Sequence, residues 1–202
     1  MSTTLTVDFF CTLDGYGMAE GWPGYWGKEG PEVIADRVRT FAQEQVLVFG
    51  ATTFRQFRKF VTMFDEPYYD SLNKLPKLVF SSTLEAPLGW ANSTVLDEDA
   101  VTAIERLKRT TDVPMRSHGS ISLNRALLAA GLVDRLEILM FPAVSGRAGD
   151  AALLHGGAEL DLELVESTVL DGRTHKLVYT PHLHTAVPVG AGPKPRTADQ
   201  VA

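Results

Sequence analysis

Three short stretches set small and hydroxylated residues directly behind apolar runs: Gly50-Ala51-Thr52-Thr53, Ser81-Ser82-Thr83 and Gly119-Ser120-Ile121. Glycine lets a ligand approach the backbone, and hydroxyls offer hydrogen bonds. At the first and third stretches a helix is expected to begin, and the free N–H groups of a first helical turn suit an anion. Taken singly, each stretch reads as ordinary capping by Thr52, Thr53 or Ser120. Three in one chain point to a split phosphate or dinucleotide site. Neither GxGxxG nor GxxxxGK[ST] occurs, so the Rossmann fingerprint and the P-loop do not apply.

Asp14-Gly15 follows the first apolar run. It is either a simple turn or a carboxylate at the mouth of a cleft, able to orient a heterocycle or hold a proton. Trp22, Tyr25 and Trp26 fall in a glycine-rich segment without helical spacing, where they stack on a flat ligand or plug the loop against the core. On the following helix Asp36 lies about 200° from Ile34 at about 100° per residue, so it is expected in solvent. His182 and His184 could share a strand face, but no third metal ligand is evident, and no metal is expected. Cys11 sits on an apolar strand and reads as core.

These residues need a scaffold. Residues 4–12 and 46–49 read as strands, as do 77–80, 93–96, 113–117 and 136–141. Pro31 opens a helix whose apolar stripe is Ile34, Val38, Phe41 and Ala42. Further helices are expected over 54–60, up to Lys108 from a cap at Asp97 or Asp99, and over 121–130 with Gly131 behind it. Asp171-Gly172 centres a hairpin between 160–170 and 175–180. Strands alternating with helices imply a three-layer α/β/α unit with a mostly parallel sheet and an antiparallel C-terminal hairpin. In such sheets ligands collect at the carboxyl ends of the strands.

The chain has 202 residues and a net charge of −6, with 45% hydrophobic residues. That length gives one domain, expected over 1–184, and a tail over 185–202 that holds Pro188, Pro193 and Pro195. The acidic balance argues against nucleic acid as a partner. No apolar run is long enough to span a membrane, and the first residues make a poor signal peptide. One cysteine allows no internal disulfide. A soluble cytoplasmic protein is expected.

Five stretches, in order, resemble the dihydrofolate reductase-like family related to the C-terminal reductase domain of the bifunctional riboflavin-biosynthesis deaminase-reductase. They are Thr12-Leu13-Asp14-Gly15-Tyr16, residues 47–54, residues 77–84 with Trp90-Ala91-Asn92-Ser93, residues 119–134, and Phe141-Pro142-Ala143-Val144. The resemblance implies a homodimer that carries NADPH across the strand ends and passes a hydride to a small heterocyclic, pterin- or aminopyrimidine-like substrate. It assigns the cofactor to Phe10, Cys11, Gly50, Ala51, Thr52, Thr53, Ser81, Ser82, Thr83, Gly119, Ser120, Ile121 and Leu123. The substrate falls to Tyr16, Trp22, Trp26 and Phe54, and a proton to Asp14 or water. Ala51 and Ser82 stand where the family commonly has arginine, which suits a 2′-phosphate, so NADH is an alternative to NADPH. Arg55 and Arg58 are the nearest substitutes. The same departure keeps open a non-catalytic protein that binds a nucleotide or an aromatic ligand, or a dimeric scaffold with no ligand.

Overall fold

The computed structural model describes residues 3–19, 22–23, 27–146 and 152–184. The expected tail, Tyr25 and Trp26 lie outside the described residues. Eight strands form one sheet, with β1 (Leu5–Thr12) and β7 (Met115–His118) near its centre. From one edge, β6 (Ser93–Leu96), β5 (Lys77–Phe80) and β4 (Val46–Gly50) lead to β7, and β1 and β8 (Arg135–Phe141) follow, all parallel. The hairpin of β9 (Leu160–Leu170) and β10 (Thr174–Leu183) closes the other edge antiparallel, turning at Asp171-Gly172 as expected. A two-residue ladder, β2 (Met18–Ala19) with β3 (Trp22–Pro23), lies in the segment expected to be a loop.

The strands alternate cleanly because each face must meet its own helices. Leu5, Val7, Phe9 and Cys11 of β1 join Met115 and Leu136 under α4 (Ala100–Thr110) and α5 (Ile121–Ala129). On the opposite face, Leu47, Phe49 and Val79 pack with Phe41 of α1 (Pro31–Ala42), Phe54 of α2 (Ala51–Met63) and Leu72 of α3 (Tyr69–Lys74). Helix α3 carries only six residues, too few for a periodic signal, and the sequence reading had no helix there. Asp99 caps α4 as expected, accepting from the Thr102 N–H at 2.9 Å.

Helix α1 corrects one expectation. Asp36 is buried, not solvated, and the inward residues are Val33, Asp36, Arg37 and Phe41. The face beneath α1 is charged: Asp8 and Glu137 are register neighbours on β1 and β8. The wholly buried Arg37 guanidinium sits between them, 3.4 Å from Asp8 and 2.8 Å from Glu137. Two adjacent carboxylates repel, so the helix turns a cation inward. Asp36 comes with it, bonded to Arg37 at 3.1 Å and to Lys176 at 2.8 Å. The start of α1 is capped from a distance: Asp171 in the hairpin turn accepts from the N–H groups of Glu32 and Val33. That carboxylate fills the space beside Gly30, where a Cβ would collide with it.

Candidate active site

Neighbouring strands β1 and β7 send their following helices to opposite faces, α1 to one and α5 to the other. This leaves a crevice at their carboxyl ends, the position where open α/β sheets bind ligands. A cavity of about 410 Å³ occupies it. Phe9 and Phe10 of β1 form its floor together with His118 and Gly119 at the end of β7. Thr53, Gln56, Phe57 and Phe60 of α2, with Phe64 just beyond it, form one wall. Tyr68, Tyr69, Glu66 and Glu29 close another side. Phe57 and Phe60 of α2 and Phe64 at its C-terminal cap follow one another at near-helical spacing and line the cavity together.

His118 is the buried polar group of this cavity, with 2% of its surface exposed. The rings of Phe10, Phe41 and Phe57 surround it edge-on at 4.9–5.6 Å between centroids. Its Nδ1 bonds to Asp8. Asp8 also accepts from Arg116 at 2.6 Å and stands 3.4 Å from Arg37. Burial alone would raise the Asp8 carboxyl, but His118, Arg116 and Arg37 outweigh it and hold the group well below the ordinary carboxylate range. Asp8 is therefore a fixed anion that sets the orientation of the imidazole, and Nε2 has no hydrogen-bond partner among the described residues. The remaining charges continue the same network: Glu137 lies 3.5 Å from Arg116, and Lys176 bridges toward Asp36. The Asp36 carboxyl is likewise lowered. Burial works against this, and Lys176 and Arg37 prevail.

The two junctions expected to bind an anion are brought together. Ser120 does not cap its own helix; its Oγ accepts from the Gly50 N–H at 3.0 Å and ties the start of α5 to the start of α2. Neither helix has a side-chain cap, so Thr52 and Thr53 are not helix caps either. Gly119 has φ +79, a conformation that favours glycine, and a Cβ there would press on the Thr53 methyl at 3.3 Å. The third junction folds on itself, with Ser81 Oγ accepting from the N–H groups of Thr83 and Leu84. Arg55 reaches across from α2 and donates to Thr83 Oγ1 at 3.3 Å, whereas Arg58 turns away to the Leu88 carbonyl.

Of the residues singled out in the sequence, Phe10, Thr53, Gly119 and Ile121 line the cavity. Gly50 and Ser120 stand behind it, joined by their hydrogen bond. Ala51 and Thr52 form the first turn of α2 outside the cavity lining, and Ser82 is exposed in the third junction. Cys11 and Leu123 pack in the core, and the Cys11 thiol is pushed up to about 12 by burial and by Asp14. Phe54 is also core, wedged between Phe49 and Trp90, because its position on α2 points at the sheet rather than along the cavity. Tyr16 bridges to Ala152 by backbone, and the Trp22 backbone pairs with Ala19.

Asp14 stands apart from the cavity. Its carboxylate accepts from Thr12 Oγ1 at 2.5 Å and from the N–H groups of Ser145 at 3.0 Å and Gly146 at 2.8 Å. The Thr12 hydroxyl and these backbone donors hold it at about 2, an anion that pins the loop after β8 and a poor proton donor. His182 and His184 pair separately with Glu163 and Asp161. Asp8, His118, Glu29 and Glu66 escaped the sequence reading. A single acidic residue inside an otherwise apolar first strand was the visible signal for Asp8.

This fold and this placement of a cavity define a dihydrofolate reductase-like α/β protein. The model of the RibD C-terminal domain matches residues 3–176, and the chain belongs to that family. A putative riboflavin biosynthesis protein from Shewanella sp. PV-4 superposes with a TM-score of 0.71 at 20% identity, covering 90% of this chain and 99% of the other. The Thermotoga maritima diaminohydroxyphosphoribosylaminopyrimidine deaminase/5-amino-6-(5-phosphoribosylamino)uracil reductase gives 0.64 at 12% identity, covering 90% of this chain and 57% of its own. Dihydrofolate reductase from Enterococcus faecalis, complexed with NADP(H), gives 0.59 at 16% identity, covering 90% and 99%. A comparison with curated proteins finds no match. Among the described residues no helix is long and apolar enough to cross a membrane.

Proposed function

We propose that this chain is a nicotinamide-dependent reductase that passes a hydride to a small heterocycle held in the cavity between β1 and β7. The observation that carries the reading is the aromatic-walled cavity at the sheet's crossover, with a single buried imidazole on its floor. It supports a site where two flat rings stack in register away from water.

The residues present fit the cofactor. The uncapped first turns of α2 and α5, joined through Gly50 and Ser120, would hold the pyrophosphate, and Gly119 lets it approach the backbone. Ser81 and Thr83 would meet the adenosine end, where Arg55 supplies the cation that Ala51 and Ser82 do not. Phe10 would lie against the nicotinamide. When bound, the cofactor supplies the hydride. The protein's part is position and protonation. His118 would take part in proton transfer through Nε2, while Asp8 fixes Nδ1. The likeness to proteins whose names include reductases supports this reading, and a homodimer in the cytoplasm belongs to the same proposal.

The test is NADPH oxidation at 340 nm with a panel of pteridines and aminopyrimidines. Turnover with at least one of them, reduced a hundredfold or more in His118→Gln with NADPH binding retained, is the expected result. Cofactor binding without transfer to any of them would make the protein a ligand-binding member of the family.

A further inference from the structure

The cavity that the proposed reductase reading depends on has a charge pattern of its own. Among the described residues that line it, none is lysine or arginine, and two are the carboxylates Glu29 and Glu66. Among the described residues neither carboxylate makes an ion pair, and Arg173 reaches only the backbone carbonyl of Glu29, at 3.5 Å. The Glu66 carboxyl is shifted upward, first by burial and then by its neighbours Glu29 and Asp65. Glu29 is exposed and Glu66 partly buried at the cavity edge, and the two carboxylates are close enough to repel, so a ligand cation would relieve them.

The walls around them point the same way. Phe57, Phe60, Tyr68 and Tyr69 present aromatic rings, whose faces attract positive charge. On the floor, His118 is almost wholly buried. Its Nδ1 is taken by Asp8, and no group among the described residues bonds to Nε2. A ring nitrogen or amino group of a ligand is the natural partner for that atom. A phosphate, by contrast, would meet two carboxylates and no basic side chain among the described lining residues. The guanidinium groups behind the floor, Arg37 and Arg116, are already committed to Asp8 and Glu137, and Arg125, beside the lining residue Leu153, donates to the backbone carbonyls of Ala152 and Leu153.

We infer that the cavity takes an unphosphorylated, flat heterocycle that is cationic or bears amino groups, stacked between the aromatic rings with its amino edge toward Glu29 and Glu66. This separates the chain from a reductase whose substrate carries a phosphoribosyl group, such as the one named for the Thermotoga maritima protein. It rests on the reading of the cavity as the substrate site. It does not depend on how the nicotinamide cofactor is held.

The test is calorimetric titration of the full chain with two probes, 2,4-diaminopteridine and 5-amino-6-(5-phosphoribosylamino)uracil. Both are titrated into the wild type and into Glu29→Gln/Glu66→Gln. The wild type is expected to bind the diaminopteridine at least tenfold more tightly. The double variant is expected to lose at least fivefold for that probe and to narrow the gap between the two. Stacking alone would favour the pteridine whatever the charge, so the change on substitution is the decisive part. Glu66→Gln alone serves if the double variant does not fold. Equal or tighter binding of the phosphoribosyl compound overturns the inference. So does a ratio that the substitutions leave unmoved, or no binding of either probe at millimolar concentration. NADPH titrated into the same preparation reports on the reductase reading separately, because its expected contacts lie at α2, α5 and Thr83.

Discussion

Replacing Asp8 by asparagine removes one negative charge from a cluster that is close to balanced. Asp8, Asp36 and Glu137 face Arg37, Arg116 and Lys176. In the variant Arg37 keeps Glu137 at 2.8 Å and Asp36 at 3.1 Å, but Arg116 loses its 2.6 Å partner and retains Glu137 only at 3.5 Å. The cluster is left with one uncompensated positive charge in a largely buried setting. Breaking a buried pair from one side typically costs about 3–5 kcal/mol. Arg116 keeps some solvent access, which places the expected loss near the lower end, about 3 kcal/mol. For a chain of this size that is a fall in Tm of about 6–12 °C. Urea unfolding followed by circular dichroism measures it directly. A loss below about 1 kcal/mol, with the m-value unchanged, would refute the view that the Asp8 charge is required by its cationic neighbours.

Other outcomes follow from the same geometry. Asp8 and Asp36 both have carboxyls lowered by folding, so the unfolded chain binds more protons than the folded one in acid. Their contribution is complete above the ordinary carboxylate range, about pH 4, and is lost as pH falls toward their folded values. Urea midpoints measured from pH 7 to pH 3 should therefore decline below about pH 4, and less steeply in Asp8→Asn. Arg55→Ala should weaken NADPH more than NADH, because it removes the cation beside Thr83, and paired titrations of the two cofactors would show it. Asp171→Ala should cost about 1 kcal/mol, the usual value of a lost helix cap. Amide exchange should then speed up first at Glu32 and Val33, whose N–H groups it bonds.

The fold was legible because its signals are local. Val46–Gly50 and Lys77–Phe80 are short apolar strands, Asp171-Gly172 is a turn dipeptide and Asp99 is a helix cap, and each acts within a few residues of itself. The site was legible only in part. Thr53, Gly119 and Ile121 were found because they follow strands. Asp8 and His118 are 110 positions apart and meet only through the parallel register of β1 and β7, which no periodicity reveals. The same limit explains α1. The count of apolar residues favoured Ile34 and Val38, and the burial of Asp36 and Arg37 followed from charges on β1, β8 and β10. Arg55 could be named in advance as a candidate cation, but its direction toward Thr83 came from the packing of α2 against β5.

The most direct test of the account is thermal unfolding of the purified chain over a range of NADPH concentrations. A ligand that binds only the folded state stabilises it by about 2.7 kcal/mol at a hundred times its dissociation constant. The account predicts a saturable rise in Tm with NADPH that is diminished in Arg55→Ala. No rise at millimolar NADPH or NADH would contradict it, and would leave the cavity between β1 and β7 without the hydride donor that the proposed chemistry requires.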